Sequence, residues 1–139
     1  MGKESSLWQT FKRHHGKGGH WVRIENSCEL GTPDVNGRVA DCVDWWIELK
    51  YSKAWPKRPG TAVRLKHFTR EQKQWLVDRG KVGGCCGVLW QVGGEYLFFD
   101  WRAAPYLGTL TRAELYVRAL WYGTSVKEPE FITILERGL

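Results

Sequence analysis

The 139-residue chain is poor in cysteine and proline and has no long apolar run, which excludes several classes of protein. Four cysteines without a Cys-x-x-Cys pair argue against a structural zinc site. Five prolines and 16 glycines are too few for a fibrous or low-complexity chain. No stretch approaches the roughly 20 apolar residues that span a bilayer, and the N-terminus lacks the apolar segment of a secretory signal. We therefore expect one soluble, cytoplasmic domain covering residues 1–139.

Tryptophan and positive charge are abundant instead. Nine tryptophans exceed what a core of this size can bury completely, so several should lie half exposed. Between positions 50 and 73, eight lysines and arginines stand against a single acid, Glu71. Such a basic tract suits a polyanion, and Tyr51, Trp55 and Phe68 within it favour nucleic acid because aromatic rings stack on unpaired bases. The alternative is a solvated loop with ordinary surface lysines.

Periodicity, capping boxes and turn residues predict an α/β fold with one mixed sheet flanked by helices. The pair Asn36-Gly37 indicates a turn, and residues 52–62 a loop. In the first half of the chain we predict a helix from position 5 or 6 to about 15 and strands at 20–25 and 44–51. A second helix begins with the capping box of Thr69 and Gln72 and ends at Gly80, and a hairpin of 88–92 and 95–99 follows around Gly93-Gly94. A third helix begins at Thr111, with Leu110 and Leu115 as its hydrophobic staple, and ends at Gly123; a strand at 131–135 comes last.

Two carboxylates and a lysine stand out. Asp34 follows Thr32-Pro33, and proline stiffens the backbone that presents it. In the strand from Asp44 to Tyr51, alternation places Glu48 and Lys50 on one face, roughly 7 Å apart at Cβ, and we expect neither to point into the core. The alternative for this pair is an ion pair on a solvated face.

These residue types suit phosphodiester hydrolysis, in which a metal ion held by acids activates water and neutralises phosphate. Mg²⁺ prefers oxygen ligands, which Asp34, Glu48 and the carbonyl of Leu49 would supply. Lys50 would orient water and stabilise charge on the phosphate. Glu4 lies on the predicted apolar face of the first helix, either as its frayed end or as a further carboxylate at the rim of the site.

The segments Thr32-Pro33-Asp34 and Trp46-Ile47-Glu48-Leu49-Lys50 resemble the core of the PD-(D/E)xK nuclease superfamily, particularly its VRR-NUC-like and Holliday-junction-resolvase-like branches encoded by bacteriophages. In such proteins a first-helix glutamate often completes the site, which Glu4 would match, and a glutamine opening the next helix often faces it, which Gln72 would match. The resemblance covers about residues 4–100. It implies a restriction-endonuclease-like αβββαβ core, dependence on Mg²⁺ or Mn²⁺, hydrolysis leaving a 5′-phosphate and, if a phage encodes the chain, a location in the host cytoplasm.

We therefore expect a metal-dependent DNA endonuclease that acts on branched DNA in the manner of a Holliday junction resolvase. A nicking or flap nuclease and a non-catalytic nucleic-acid-binding module are the alternatives. The expected catalytic residues are Asp34, Glu48, Lys50, Glu4 and Gln72, and the residues expected to guide the phosphate backbone are Lys53, Arg64, Lys66, Arg70 and Lys73.

Three points stay open in the sequence. Gln72 is also the N3 residue of its capping box, which explains it without catalysis. Glu25 and Glu29 rival Glu4 as the third carboxylate. The helix from Thr111 to Tyr122 carries apolar residues on more than one face and could supply a homodimer surface; these residues are Leu115, Val117, Leu120 and Trp121.

Overall fold

The computed structural model describes residues 3–24 and 30–139, which form a mixed sheet with helices on both faces. Within these residues the sheet has six strands in the order β1-β2-β3-β4-β5-β6. The elements are α1 (Lys3–His15), β1 (Gly19–Arg23), β2 (Val35–Val39), β3 (Asp44–Ser52), α2 (Arg70–Lys81), β4 (Cys85–Val92), β5 (Glu95–Asp100), a 3₁₀ turn (Ala104–Tyr106), α3 (Arg112–Arg118), β6 (Trp121–Gly123) and α4 (Pro129–Arg137). The predicted α/β fold class is confirmed. No helix in the described ranges is long and apolar enough to cross a membrane.

The pairing of β3 differs along its two edges. On one edge β3 runs parallel to β4 over its whole length after Asp44, and α2 makes the crossover that parallel strands require. On the other edge the antiparallel partner β2 reaches only as far as the pair of Val35 and Ile47. The second half of β3 therefore extends past the end of β2, which leaves a fork between the two strands.

Each face of the sheet carries its own hydrophobic cluster. α1 and α4 cover the first cluster, to which β3 contributes Trp45, Ile47 and Leu49. α2 and α3 cover the second, against which Trp46 packs. The predicted alternation of β3 is therefore present. Four of the nine tryptophans are half buried, as expected from their number, namely Trp46, Trp55, Trp75 and Trp101.

The turn predicted at Asn36-Gly37 is wrong, because both residues lie inside β2. Gly37 pairs with Trp21 of β1, and a β-carbon on it would collide with the His20 carbonyl. Gly37 thus allows β1 and β2 to approach each other closely and is not part of a turn. The chain instead reverses after Val39, where Asp41 adopts a φ of 61°.

The C-terminal predictions need two corrections. The helix that begins at Thr111 ends at Arg118 instead of Gly123, because Ala119 is extended and Leu120 donates its N–H to Phe98 O, which starts β6. The strand predicted at 131–135 is helix α4, with Pro129 in its first turn. Its two buried residues, Phe131 and Leu135, are four positions apart and so face the sheet together.

Candidate active site

Asp34 lies at the mouth of the fork, directly before β2. Its backbone carbonyl accepts a hydrogen bond from Ile24 N at 2.6 Å, and the preceding Pro33 is buried. Its side-chain Oδ2 accepts a hydrogen bond from Leu49 N at 2.9 Å. Leu49 belongs to the part of β3 beyond its pairing with β2, so the carboxylate of Asp34 takes the place of a strand partner. It also interacts directly with the carboxyl group of Glu48.

Glu48 is a buried carboxyl group with unmet hydrogen-bonding capacity. The residue is 1% exposed, and neither carboxylate oxygen makes a hydrogen bond of good geometry with the described residues, although Oε2 lies 3.4 Å from Lys50 Nζ. Burial, and next the charge of Asp34, raise its pKa to about 9, although Lys50 acts in the opposite direction. An unsatisfied buried polar atom costs roughly 1–3 kcal/mol, so this carboxyl group favours a proton or a cation.

Lys50 is equally buried, at 3% exposure, and is held from several sides. Its Nζ lies 3.4 Å from Glu48 Oε2 and 3.8 Å from Glu4 Oε1. It donates a hydrogen bond to the carbonyl oxygen of His67 at 2.9 Å and another to Gln72 Oε1 at 3.4 Å. The ammonium group therefore has a defined position between the two acids.

The expectation that Glu48 and Lys50 point away from the core is wrong, and so is the solvated face assumed in the alternative. Local alternation correctly put both side chains on the face opposite Leu49. The chain segment before α2 then returns over that face, with the backbone of His67 and the ring of Phe68 against Lys50. Tertiary packing thus buries a face that a period-two pattern marks as polar.

Gln72 makes both of the contacts that its sequence position allowed. The capping box with Thr69 is confirmed, since Gln72 Oε1 accepts from Thr69 N at 2.9 Å and Thr69 Oγ1 accepts from Gln72 N at 3.2 Å. The same Oε1 atom also accepts from Lys50. No rotation of the side chain is needed for capping and for contact with the candidate site.

Glu4 lies in the first turn of α1, the helix that covers the Leu49 face of the sheet, and its carboxylate reaches Lys50 Nζ. Burial raises the pKa of its carboxyl group, and Lys50 partly offsets that effect. Its rivals for a third carboxylate, Glu25 and Glu29, lie outside the described residues.

Three of the predicted basic residues line a cleft at the C-terminal end of β3, the strand that carries Lys50. An open cleft of about 290 Å³ is lined by Tyr51, Ser52, Lys53, Arg64 and Lys66. Within the described ranges, no ion pair joins an acid to any of the five predicted phosphate-guiding residues, whose charges are therefore uncompensated; they are Lys53, Arg64, Lys66, Arg70 and Lys73.

Phe68 behaves differently from a base-stacking residue. Its ring is buried, with Lys50 Nζ 5.3 Å and Lys73 Nζ 5.4 Å from its centroid. Such contacts stabilise the two ammonium groups, and the burial of the ring makes it inaccessible to a base. The expectation that Phe68 stacks on nucleic acid is therefore wrong.

The backbone carbonyl of His67 is a part of the candidate site that the sequence did not predict. His67 has a φ of 62°, an uncommon conformation for a residue other than glycine, and it directs its carbonyl oxygen at Lys50. No signal in the sequence could have revealed this contact, because every residue carries the same carbonyl group.

The oxygen atoms of the candidate site supply some of the ligands that a hard divalent cation needs. In the portion of the chain that the structure describes, no three His, Cys, Asp or Glu side chains form a ready metal-binding group. However, Asp34 and the unsatisfied oxygens of Glu48 adjoin each other, and Mg²⁺ needs few protein ligands because it keeps several waters. An extended residue directs its N–H and C=O to the same side, so the Leu49 carbonyl points to the edge where Asp34 lies.

Comparison with known proteins shows which fold the chain shares. No family model matches the chain, and no curated protein matches it. Among solved structures it is similar to Hjc, a Holliday junction resolvase from the archaeal hyperthermophile Archaeoglobus fulgidus, with a TM-score of 0.57 and 14% sequence identity. The match covers 91% of this chain and 96% of that chain. The chain therefore shares the mixed α/β fold of that protein over nearly its whole length.

Proposed function

We propose that this chain is a divalent-metal-dependent DNA endonuclease that hydrolyses phosphodiester bonds in branched DNA, as a Holliday junction resolvase does. The observation that carries the proposal is the buried, unsatisfied carboxyl group of Glu48, beside Asp34 and next to a buried lysine. Strongly shifted pKa values with a specific charged neighbour cluster at functional sites. The fold shared with an archaeal Holliday junction resolvase supports junction DNA as the substrate class.

In this proposal Asp34, Glu48 and the carbonyl of Leu49 hold Mg²⁺ or Mn²⁺, and Glu4 is the accessory acid. When bound, the ion polarises the phosphate and lowers the pKa of a coordinated water molecule. The positive charge would also offset the burial and the neighbouring charge that now raise the pKa of Glu48. The carboxyl group would then be ionised at neutral pH.

Lys50 would position the attacking water and stabilise negative charge that builds on the phosphate. Its Nζ is already fixed by the His67 carbonyl and Gln72 Oε1, so little reorganisation is needed during the reaction. A lysine ammonium has three N–H donors; two are hydrogen-bonded, and the third side faces the carboxylates of Glu48 and Glu4, where the attacking water and the phosphate would meet it. Gln72 acts through Lys50 and is a positioning residue in this scheme.

The uncompensated cations beside the site would guide the DNA backbone. Lys53, Arg64 and Lys66 line the open cleft next to β3, and Arg70 and Lys73 lie at the start of α2. Each phosphate contact releases counterions, so binding should weaken steeply as salt rises.

We also propose that the protein acts as a homodimer. Val117 of α3 is 85% exposed and Leu120 is 41% exposed, whereas Leu115 and Trp121 are buried within the chain. The surface offered to a second copy is therefore smaller than the sequence indicated. Light scattering on the purified protein tests this, and a monomer at the concentrations active on DNA would contradict it.

One assay separates the candidate functions. Wild type and Asp34→Ala are incubated with linear duplex, single strand, flap and four-way junction in Mg²⁺, Mn²⁺ and EDTA. We expect wild type to cut the junction fastest in either metal, no cutting in EDTA, and no cutting by Asp34→Ala. Faster cutting of the flap would replace the resolvase proposal with a flap nuclease. Binding without cleavage in any metal would instead show a non-catalytic binding module.

A further inference from the structure

A second concave surface lies between the loop after β3 and helix α3. It encloses about 270 Å³. Pro56 and Pro59 from the loop, and Ala113 and Tyr116 from α3, form its apolar walls. This volume is below the range typical of pockets for drug-sized ligands, so it suits a group the size of one nucleobase.

The wall on the side of α3 is held in place by Glu95, a half-buried acid. Glu95 Oε2 accepts a hydrogen bond from Arg112 Nη2 at 2.9 Å and another from Trp55 Nε1, and its Oε1 accepts from Tyr116 OH at 2.8 Å. Arg112 also donates to Tyr116 OH at 2.8 Å, and its guanidinium lies 4.5 Å from the centroid of Trp55. The Tyr116 ring is thus preorganised, and the charge of Glu95 is already engaged within the wall.

Positive charge lines the opposite wall. Lys57 and Arg58 are exposed there, and neither forms an ion pair with an acid in the part of the chain that the structure describes. Arg112, in contrast, is neutralised by Glu95. Apolar walls beside two unpaired cations suit a ligand that joins an aromatic ring to an anion, which is the chemistry of a nucleotide.

The same loop connects this pocket to the candidate active site. After the pocket, Val63 N donates to Leu110 O, which anchors the loop beside α3. The chain then passes the cleft that contains Arg64 and Lys66, and reaches Lys50 through the His67 carbonyl. Unpaired cations therefore follow the loop from the pocket to the site.

We propose that this pocket binds one unpaired nucleotide of the DNA strand held at the candidate active site, which rests on the proposed nuclease function. The base lies against Pro56 and Pro59, Tyr116 closes the opposite wall, and the phosphate contacts Lys57 and Arg58. A paired base is stacked inside the duplex and cannot enter a pocket of this size, so the protein favours DNA with an unpaired nucleotide near a branch.

Fluorescence anisotropy in EDTA measures this preference without cleavage. The labelled probes are a fully paired duplex, the same duplex with one unpaired thymidine, and the same bulge with an abasic nucleotide. We expect the thymidine bulge to bind about tenfold more tightly than the other two, the size of one base stack. Equal binding of the thymidine and abasic bulges would overturn the proposal.

A matched pair of substitutions localises the effect. Ala113→Gln places a longer, uncharged side chain into the pocket from an exposed helical position, and should remove the preference for the thymidine bulge. Ala40→Gln makes the same change at an exposed position after β2 and should leave the preference intact. A preference that survives Ala113→Gln, in protein shown to be folded by circular dichroism, would place the base elsewhere and contradict the proposal.

Two further readouts separate the alternatives. Free thymidine monophosphate should compete only weakly, because most of the affinity comes from the strand; strong competition would indicate a free-nucleotide site and overturn the assignment. Since binding is measured in EDTA, a bulge preference without any cleavage in metal refutes the nuclease and retains the pocket. Cleavage without a bulge preference refutes the nucleotide pocket and retains the nuclease.

Discussion

The Oδ2 atom of Asp34 accepts the backbone N–H of Leu49 at 2.9 Å, at the point where β3 runs past the end of β2. The same carboxylate is the first candidate ligand for the metal. Asp34→Asn can keep an oxygen for this hydrogen bond while it removes the charge. We expect the melting temperature to change little and cleavage to fall at least about a hundredfold, because a lost charge contact in a catalytic site costs that much.

Two further variants control this experiment. Asp34→Ala also removes the hydrogen bond to Leu49 and should cost about 1 kcal/mol of stability in addition. Asp41→Asn makes the same amide change in the turn after β2, where asparagine tolerates the positive φ, and should affect neither property. Cleavage by Asp34→Asn at the wild-type rate would remove Asp34 from the proposed site.

Glu48 should make the stability of the metal-free protein depend on pH. Its pKa is raised from 4.5 to about 9 in the folded state, so between these values the folded protein retains a proton that the unfolded chain has lost. The free energy of unfolding therefore falls as pH rises through this window, by up to about 1.4 kcal/mol per pH unit from this group, and levels off above it. Glu48→Gln does not titrate, so its stability relative to wild type should increase with pH.

Denaturant unfolding in EDTA across that window measures the difference. Glu71→Gln removes an acid from the exposed surface of α2 and is the matched control. A stability difference between Glu48→Gln and wild type that stays constant with pH would show that Glu48 is ionised in the folded protein.

His67 should tolerate glycine better than valine. At a φ of 62°, glycine relieves the strain, whereas a β-branched residue increases it by roughly 1–2 kcal/mol. Both variants retain a backbone carbonyl at position 67, but the strain of valine should move this carbonyl away from Lys50 Nζ. We expect His67→Gly to cleave DNA at close to the wild-type rate and His67→Val to lose kcat with little change in KM.

Asp41, the other non-glycine residue with a positive φ among those that the structure describes, distinguishes strain at Lys50 from strain elsewhere. Asp41→Val introduces the same conflict far from Lys50, and should lower stability without a selective loss of kcat. If His67→Val and His67→Gly cleave equally well, the position of the His67 carbonyl has no role in the reaction.

The cleft beside β3 should set part of the salt dependence of binding. Arg64→Ala and Lys66→Ala should each reduce the slope of log K against log salt by about one, because each removes one phosphate contact. Lys81→Ala, at the C-terminal end of α2, is the matched control and should leave the slope unchanged. Anisotropy titrations of a four-way junction in EDTA supply the measurement, and unchanged slopes for all three would place the DNA elsewhere.

Short-range signals predicted the elements that depend on neighbouring residues. The capping boxes at Thr69 and Thr111 form as predicted, and so does the hairpin around Gly93-Gly94. These patterns work because the interacting atoms are at most a few positions apart. The strand predicted at 131–135 is wrong because the β-branched residues there resemble strand composition, while Pro129 and packing against the sheet select a helix.

The sequence alone determined that Asp34, Glu48 and Lys50 are candidates, because proline stiffness and strand alternation are properties of the local chain. Only the tertiary structure decided that Glu48 and Lys50 are buried and that the His67 carbonyl and Glu4 meet the same ammonium group. Those features depend on a chain segment that returns over β3 from 17 positions away and on helix α1, which covers the opposite face of the sheet. The raised pKa of Glu48 follows from that burial, which no local pattern specifies.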